Sequence, residues 1–225
     1  MAGKLFIISA PSGSGKSTLV SRLLSLVGGL EFSISYTTRA MRGSERDGRE
    51  YHFVTREKFV AMIEADEFLE WAEVFGNYYG TAALSLEQAE SKGNDLLLDI
   101  DVQGGLQVME RLPEAVSVFI LPPSPEVLEK RLRQRSEAEK MRDEAVIEKR
   151  LQAARAELRY LGGYRYAIIN DVLDDAEAEL RAIVLWTRHG MKQENGETLR
   201  EMAASCETAA ASERLQRVLH SFGLG

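Results

Sequence analysis

A chain of 225 residues, 44% of them hydrophobic, is long enough to bury the core of one large α/β domain with an inserted lobe. The net charge of −7 argues against a nucleic-acid-binding surface as its main business and leaves positive charge to act locally, at arginine clusters. One cysteine, Cys206, excludes an internal disulfide, no apolar stretch approaches the ~20 residues that span a bilayer, and no leader precedes the first strand, so a cytoplasmic protein is expected.

The first predicted element is a short buried strand, Leu5-Phe6-Ile7-Ile8. It feeds the run Ala10-Pro11-Ser12-Gly13-Ser14-Gly15-Lys16-Ser17-Thr18, which opens into a helix carrying Leu19, Val20, Leu23 and Leu24. Strand, glycine-rich turn and helix in that order make a phosphate-binding loop. Gly13 and Gly15 let the backbone curl so that successive N–H groups face phosphate oxygens, and the helix N-terminus adds partial positive charge. Lys16 is placed to reach the β- and γ-phosphates of a nucleoside triphosphate, and the Ser17 hydroxyl to hold Mg²⁺. Ala10 stands where the motif has its first glycine, a mild change at a position that tolerates a φ below zero.

Gly28-Gly29 stops this helix, and a short strand is predicted over Phe32–Tyr36. From Thr37 to about Gln88, charged turns alternate with short aromatic runs, the pattern of a small lobe inserted into the α/β core. Arg39 and Arg42 in this lobe suit bidentate grip on a phosphate. Tyr51 and Tyr79 can add hydroxyls to the same anion. Glu70, between Leu69 and Trp71, is a carboxylate in an apolar context. Such a group fits guanine, whose N1–H and N2–H₂ are adjacent donors, and would be left unpaired by adenine. The Ser35 and Thr81 hydroxyls can complete the base edge. Taken singly, each has a plain alternative: arginines on a solvated loop, tyrosines in a small core, a surface glutamate.

The core resumes with Leu96-Leu97-Leu98-Asp99-Ile100-Asp101, an apolar run ending in acids. Asp99 is either the carboxylate that completes a Mg²⁺ site or an ordinary strand-end acid. Val116–Leu121 is a strand closed by Pro122-Pro123, and Ser124 caps a helix with Pro125 at its first position. Arg131, Arg133, Arg135, Arg142 and Arg150 punctuate the next segment, which suits a lid that closes over a transferring phosphate and excludes water. Arg133 is expected to pair with neighbouring glutamates instead. Ala145–Leu161 reads as a helix with Ile147, Leu151, Ala154, Leu158 and Leu161 on one face. Tyr166–Ile169 is the last strand, followed by a helix over Asp175–Arg188 burying Leu180, Ile183, Val184 and Trp186. The alternation predicts an α/β fold with a mostly parallel sheet flanked by helices. Beyond Gly190 the pattern gives a polar linker and one helix over Glu201–Phe222, with residues 191–225 an accessory tail.

The runs FSISYTTRAMR, DGREYHFV, EFLEWAEVFGNYYGTA and LLLDIDVQG resemble, in order and spacing, the signature segments of the guanylate kinases, and the resemblance covers roughly residues 4–188. It implies a P-loop sheet with core segments 1–36 and 89–190, an inserted GMP-binding lobe over 37–88 and a lid near 134–147. It implies the reaction ATP + GMP ⇌ ADP + GDP, with dGMP also an acceptor and Mg²⁺ accompanying ATP. By the same resemblance Ser35, Glu70 and Thr81 contact guanine with Asp101 nearby, while Arg39, Arg42, Tyr51 and Tyr79 hold the GMP phosphate. Arg135 and Arg150 act with Lys16 and Arg39 on the transferring phosphate, and Asn170-Asp171 flanks adenine. Two departures stand out. Met41 replaces a proline, and the lid RSEAEKMRDEAVIEKR lacks a glycine after Arg135 and is several residues longer, which leaves Arg142 as an alternative to either lid arginine. Rival readings are a noncatalytic scaffold domain, a kinase of a ribose bisphosphate and a simple nucleotide hydrolase. Against them stand Lys16, Ser17 and Asp99 together, the Glu70 pocket, and the arginines and tyrosines for an acceptor phosphate. The expected partners are these small molecules, with no nucleic acid and no membrane.

Overall fold

A computed structural model of the chain describes residues 3–74, 76–138, 144–192 and 195–224. Strand β1 (Leu5–Ser9) is buried throughout, as an apolar run inside a parallel sheet must be. It ends at the phosphate loop, from which α1 (Lys16–Leu26) departs with Leu19, Val20 and Leu23 buried. The strand predicted over Phe32–Tyr36 is in fact two, β2 (Leu30–Phe32) and β3 (Tyr36–Thr37). They serve different sheets, so the chain must break its extended run at Ser33–Ser35 to cross from one to the other.

The segment expected as an inserted lobe contains β4 (His52–Phe53), α2 (Arg56–Glu64), β5 (Phe68–Val74) and β6 (Asn77–Ala82), and runs into α3 (Ala83–Ser91). Helix α2 starts where the Thr55 hydroxyl accepts the Lys58 N–H, an N-cap that satisfies one of the orphan amides of the first turn. Next come β7 (Asp95–Asp99), α4 (Val102–Arg111) and β8 (Val116–Leu121). Two long helices follow, α5 (Pro125–Ala138) and α6 (Glu144–Glu157), and a 3-10 segment, Leu158–Gly163, ends the predicted helix early. The chain closes with β9 (Tyr166–Ile169), α7 (Leu173–His189), α8 (Gly196–Ser205) and α9 (Glu213–Ser221). On α7, Leu180, Ile183 and Val184 are buried as predicted and Trp186 is only half-buried.

The tail is therefore two helices where one was expected. Between them residues 206–208 run beside β9, Ala211 takes a left-handed φ of 44°, and the Ser212 hydroxyl caps α9 by accepting the Leu215 N–H.

The larger sheet has strand order β2-β7-β1-β8-β9, with Leu30 opposite Asp95 and Val118 opposite Tyr166 in its parallel outer pairs. The smaller has order β4-β3-β6-β5, and β6 runs antiparallel to both β3 and β5. The chain divides into two compact units, residues 1–7 with 29–115, and residues 8–28 with 116–225. The first has a core of Leu5, Ile7, Leu96, Leu98, Ala89 and Val108. Its smaller sheet is backed by Phe59, which stacks on Phe68 at 4.5 Å and on Tyr78 at 5.3 Å between ring centroids. The second unit has a cluster of Leu128 and Leu132 from α5 with Ile147, Leu151 and Ala154 from α6. Each leucine, isoleucine, valine or phenylalanine so removed from water contributes about 2 kcal/mol. Among the described residues, no helix is long and apolar enough to cross a membrane.

Candidate active site

The second unit carries the phosphate loop. Gly13 and Gly15 have φ of 91° and 85°, a region an L-residue enters only under strain. Space imposes the same requirement. A Cβ on Gly13 would sit 3.0 Å from Leu132 Cγ, and one on Gly15 would collide with Asn170 Nδ2. Gly15 is the N-cap of α1 and, having no side chain, supplies no cap hydrogen bond. A helix start without a side-chain cap suits an incoming phosphate. Ala10 and Pro11 are buried under the loop, Ser12 and Ser17 are exposed, and Ser14 turns inward.

Asn170, at the end of β9, is buried and braces this loop. Its Nδ2 donates to Ser14 O at 2.7 Å, its amide donates to Leu121 O at 2.8 Å, and its own carbonyl accepts from Arg131 Nη2 at 3.0 Å. The sequence named Arg131 only as one of five arginines in the expected lid segment, with no role of its own. Its other terminal nitrogen is buried without a hydrogen-bond partner, and burial lowers the pKa of its guanidinium. An orphaned buried donor beside a phosphate loop is chemically suited to an anion.

On α5, Arg133 bridges Glu129 of its own helix at 2.8 Å and Glu144 on α6, the pairing the sequence suggested. Arg150 Nη1 donates to Ser136 Oγ at 3.2 Å, joining α6 to α5 next to Arg135. Arg142 lies outside the described residues.

The first unit carries the residues expected at an acceptor site. Arg39 lies over the Tyr51 ring at 5.4 Å and the Phe53 ring at 5.7 Å. Its Nη2 donates to Glu45 Oε1 at 2.8 Å and its Nη1 to Ala40 O at 2.7 Å. Tyr51 and Tyr79 meet edge to face with centroids 5.8 Å apart. Thus Arg39, Tyr51 and Tyr79 form one cluster. Burial, then the neighbouring Tyr79, pushes the Tyr51 phenol above its usual pKa. Arg42 is exposed, and its backbone amide donates to Glu45 Oε2 at 2.8 Å. Glu45 thus ties both arginine-bearing residues together, with the Arg39 hydrogen bond the main cause of its lowered pKa. In the sequence it reads as one acid in a charged turn. The signal was a carboxylate three positions after Arg42 in a loop too short to leave it elsewhere.

Glu70 is 5% exposed on β5, at a register shift between Phe68 and Glu70. Its Oε1 accepts the Thr81 hydroxyl from β6 at 2.6 Å. Its Oε2 lies against α4, where a Cβ added to Gly104 would stand only 2.5 Å away. Helix α4 is held there by Gln107, which accepts from Trp71 N at 3.2 Å and donates to Trp71 O at 2.9 Å. Asp101 caps the same helix by accepting the Gly104 N–H at 2.8 Å. Gly104 closes the run LLLDIDVQG and Gln107 lies beyond it, and neither had a role legible in the sequence, because their importance comes from the strand across from them. Ser35 sits half-buried between β2 and β3, and its carbonyl accepts from His52 N at 2.9 Å. Asp99 ends β7 and contributes to the electrostatic field at Tyr51. Among the described residues, no three His, Cys, Asp or Glu side chains gather to hold a metal ion.

A family model described as guanylate kinase matches residues 2–186. The guanylate kinase of Koribacter versatilis is 53% identical over 226 residues, covering 99% of this chain and 97% of that protein. The guanylate kinase of Vibrio cholerae is 48% identical over 184 residues, covering 81% of this chain and 87% of that one. The crystal structure of guanylate kinase from Anaplasma phagocytophilum superposes with a TM-score of 0.67 at 33% identity, covering 92% of this chain and 97% of that one. Matched over most of its length by that family model and by relatives about half identical, and carrying a glycine loop braced by Asn170 and a buried Glu70 bonded to Thr81, this chain belongs to the guanylate kinase family.

Proposed function

We propose that this protein transfers the γ-phosphoryl group of ATP to GMP or dGMP, giving ADP and GDP or dGDP. The observation that carries the reading is Glu70, a buried carboxylate with Thr81 on one oxygen and a glycine beneath the other. Guanine fills such a site with N1–H and N2–H₂, while adenine would leave a buried charge short of donors. In this reading Ser35, Thr81 and Asp101 serve the base edge. Arg39, Arg42, Tyr51 and Tyr79 hold the acceptor phosphate, with Glu45 keeping the arginine loop in shape.

On the donor side, Lys16 and the amides from Gly13 to Thr18 bind the β- and γ-phosphates, with Asn170 toward the base. Ala10, Pro11, Ser12 and Ser14 shape the loop. Arg135 and Arg150 bear on the transferring group. Ser17 offers a hydroxyl and Asp99 a carboxylate, each a hard oxygen of the kind Mg²⁺ takes beside phosphates and water. When bound, the ion neutralises developing charge on the phosphates. An acceptor phosphate is already anionic, so no general base is needed and catalysis rests on positioning and charge neutralisation.

The test is ADP formation from Mg·ATP with GMP, dGMP, AMP, CMP or UMP against a blank without acceptor. ADP with GMP and dGMP alone is expected. Equal ADP without any acceptor would make the protein a hydrolase, and equal turnover of AMP would remove Glu70 from base recognition.

A further inference from the structure

Residues 187–225 lie beyond the family match, yet they are built into the second unit at one particular place. β9 is the edge of the larger sheet. The tail covers that edge with an antiparallel bridge between Tyr166 and Glu207, where Ala167 N donates to Cys206 O at 2.8 Å and Thr208 N to Arg165 O at 2.9 Å. Helix α9 then returns along the end of the strand with Leu215 and Val218 buried, and Phe222 packs on the α5–α6 cluster.

Arg214, in the first turn of α9, makes the contact that matters for chemistry. Its Nη1 pairs with Glu179 of α7 at 3.0 Å, and its Nη2 donates to the carbonyl of Ile169 at 3.3 Å. Ile169 O begins the peptide whose N–H belongs to Asn170. Asn170 in turn holds Ser14 O of the phosphate loop and receives Arg131. A cavity of about 200 Å³ opens at the same place, lined by Ser124, Asp171, Arg214 and Arg217. The tail thus reaches the phosphate loop through one peptide and one buried side chain.

We propose that the C-terminal tail is part of the ATP site, with Arg214 the positioning residue that holds the Ile169–Asn170 peptide where Asn170 can brace the phosphate loop. This rests on the reading of the loop as the ATP subsite. The fork of an arginine is needed because one side chain must reach a carboxylate and a carbonyl together, which an ammonium does less well. Glu179 is the group that orients the fork. The acceptor residues belong to the other unit and make no use of Arg214.

The experiment is calorimetric binding of ATP and of GMP to the wild-type chain and to Arg214→Ala, Arg214→Lys and Glu179→Gln, with the melting temperature of each recorded. Loss of one charge-assisted hydrogen bond in the brace should raise the ATP Kd about fivefold in Arg214→Ala. Arg214→Lys should fall between, and GMP Kd should stay within about twofold of wild type. If Arg214→Ala does not fold, the two conservative variants carry the comparison. ATP and GMP weakened equally, or an unchanged ATP Kd in folded variants, overturns the role of the tail alone. A wild-type chain that binds no ATP overturns the kinase reading and this one with it.

Discussion

Glu70 can recognise a base only if its carboxylate is held still, and the residue that allows this is Gly104. The glycine lies inside α4 and is not among the positive-φ residues, so alanine suits its backbone. Helix propensity alone would make Gly104→Ala stabilising by about 1 kcal/mol. The new Cβ would stand 2.5 Å from Glu70 Oε2, however, and must push the carboxylate off its position. Gly104→Ala should therefore keep a cooperative melt while KM for GMP rises about tenfold and KM for ATP stays unchanged, measured by steady-state kinetics. An unchanged KM for GMP would show that Glu70 can move without loss. Glu70 itself was legible in the sequence as an acid between apolar neighbours. Gly104 was not, because a forbidden Cβ is a fact about the opposite strand. Cys206 reads the same way from both sources: it is buried, and burial pushes its thiol up to about 12, which fits an apolar filler.

At the level of elements, the loop from β1 to α1 was the most legible part, since each glycine there answers to both conformation and space. Gly15→Ala would impose a Cβ at φ 85° and drive it into the Asn170 amide. It should lower stability by about 1–3 kcal/mol in a denaturant titration and weaken ATP far more than GMP. Binding of ATP at wild-type strength would mean that Asn170 does not brace the loop. The long apolar strands β1, β7, β8 and β9 could be read directly, as could the starts of α1 and α5. Helices α2, α3 and α4 were missed because 9 or 10 residues give too few repeats for periodicity to stand out. The break in the tail was missed for a different reason. Residues 206–208 leave the helical path to pair with β9, and that partner lies some 40 residues earlier in the chain.

Across the whole molecule, the residues proposed for the two substrates fall into two units. Arg39, Tyr51, Glu70 and Tyr79 lie in residues 29–115, and the glycine loop, α5, α6 and the tail lie in residues 8–28 and 116–225. Substitutions in one unit should therefore act first on one substrate. The change of texture after Thr37 suggested a lobe over residues 37–88, a different span from either unit, and β1 itself is shared, with residues 5–7 in one unit and 8–9 in the other. The hydrogen bond from Asn170 to Ser14 joins residues 156 positions apart. An unfolded chain holds no such loop, so ATP has nothing comparable to bind there. Binding and folding of this unit are consequently linked by mass action. At one hundred times its Kd, ATP should add about 2.7 kcal/mol to the unfolding free energy, readable as a shift in denaturant midpoint. An unmoved midpoint would separate the two. With the midpoint shifted, a protein that works on nucleotides at cellular concentrations owes part of its persistence as a folded molecule to its own substrate.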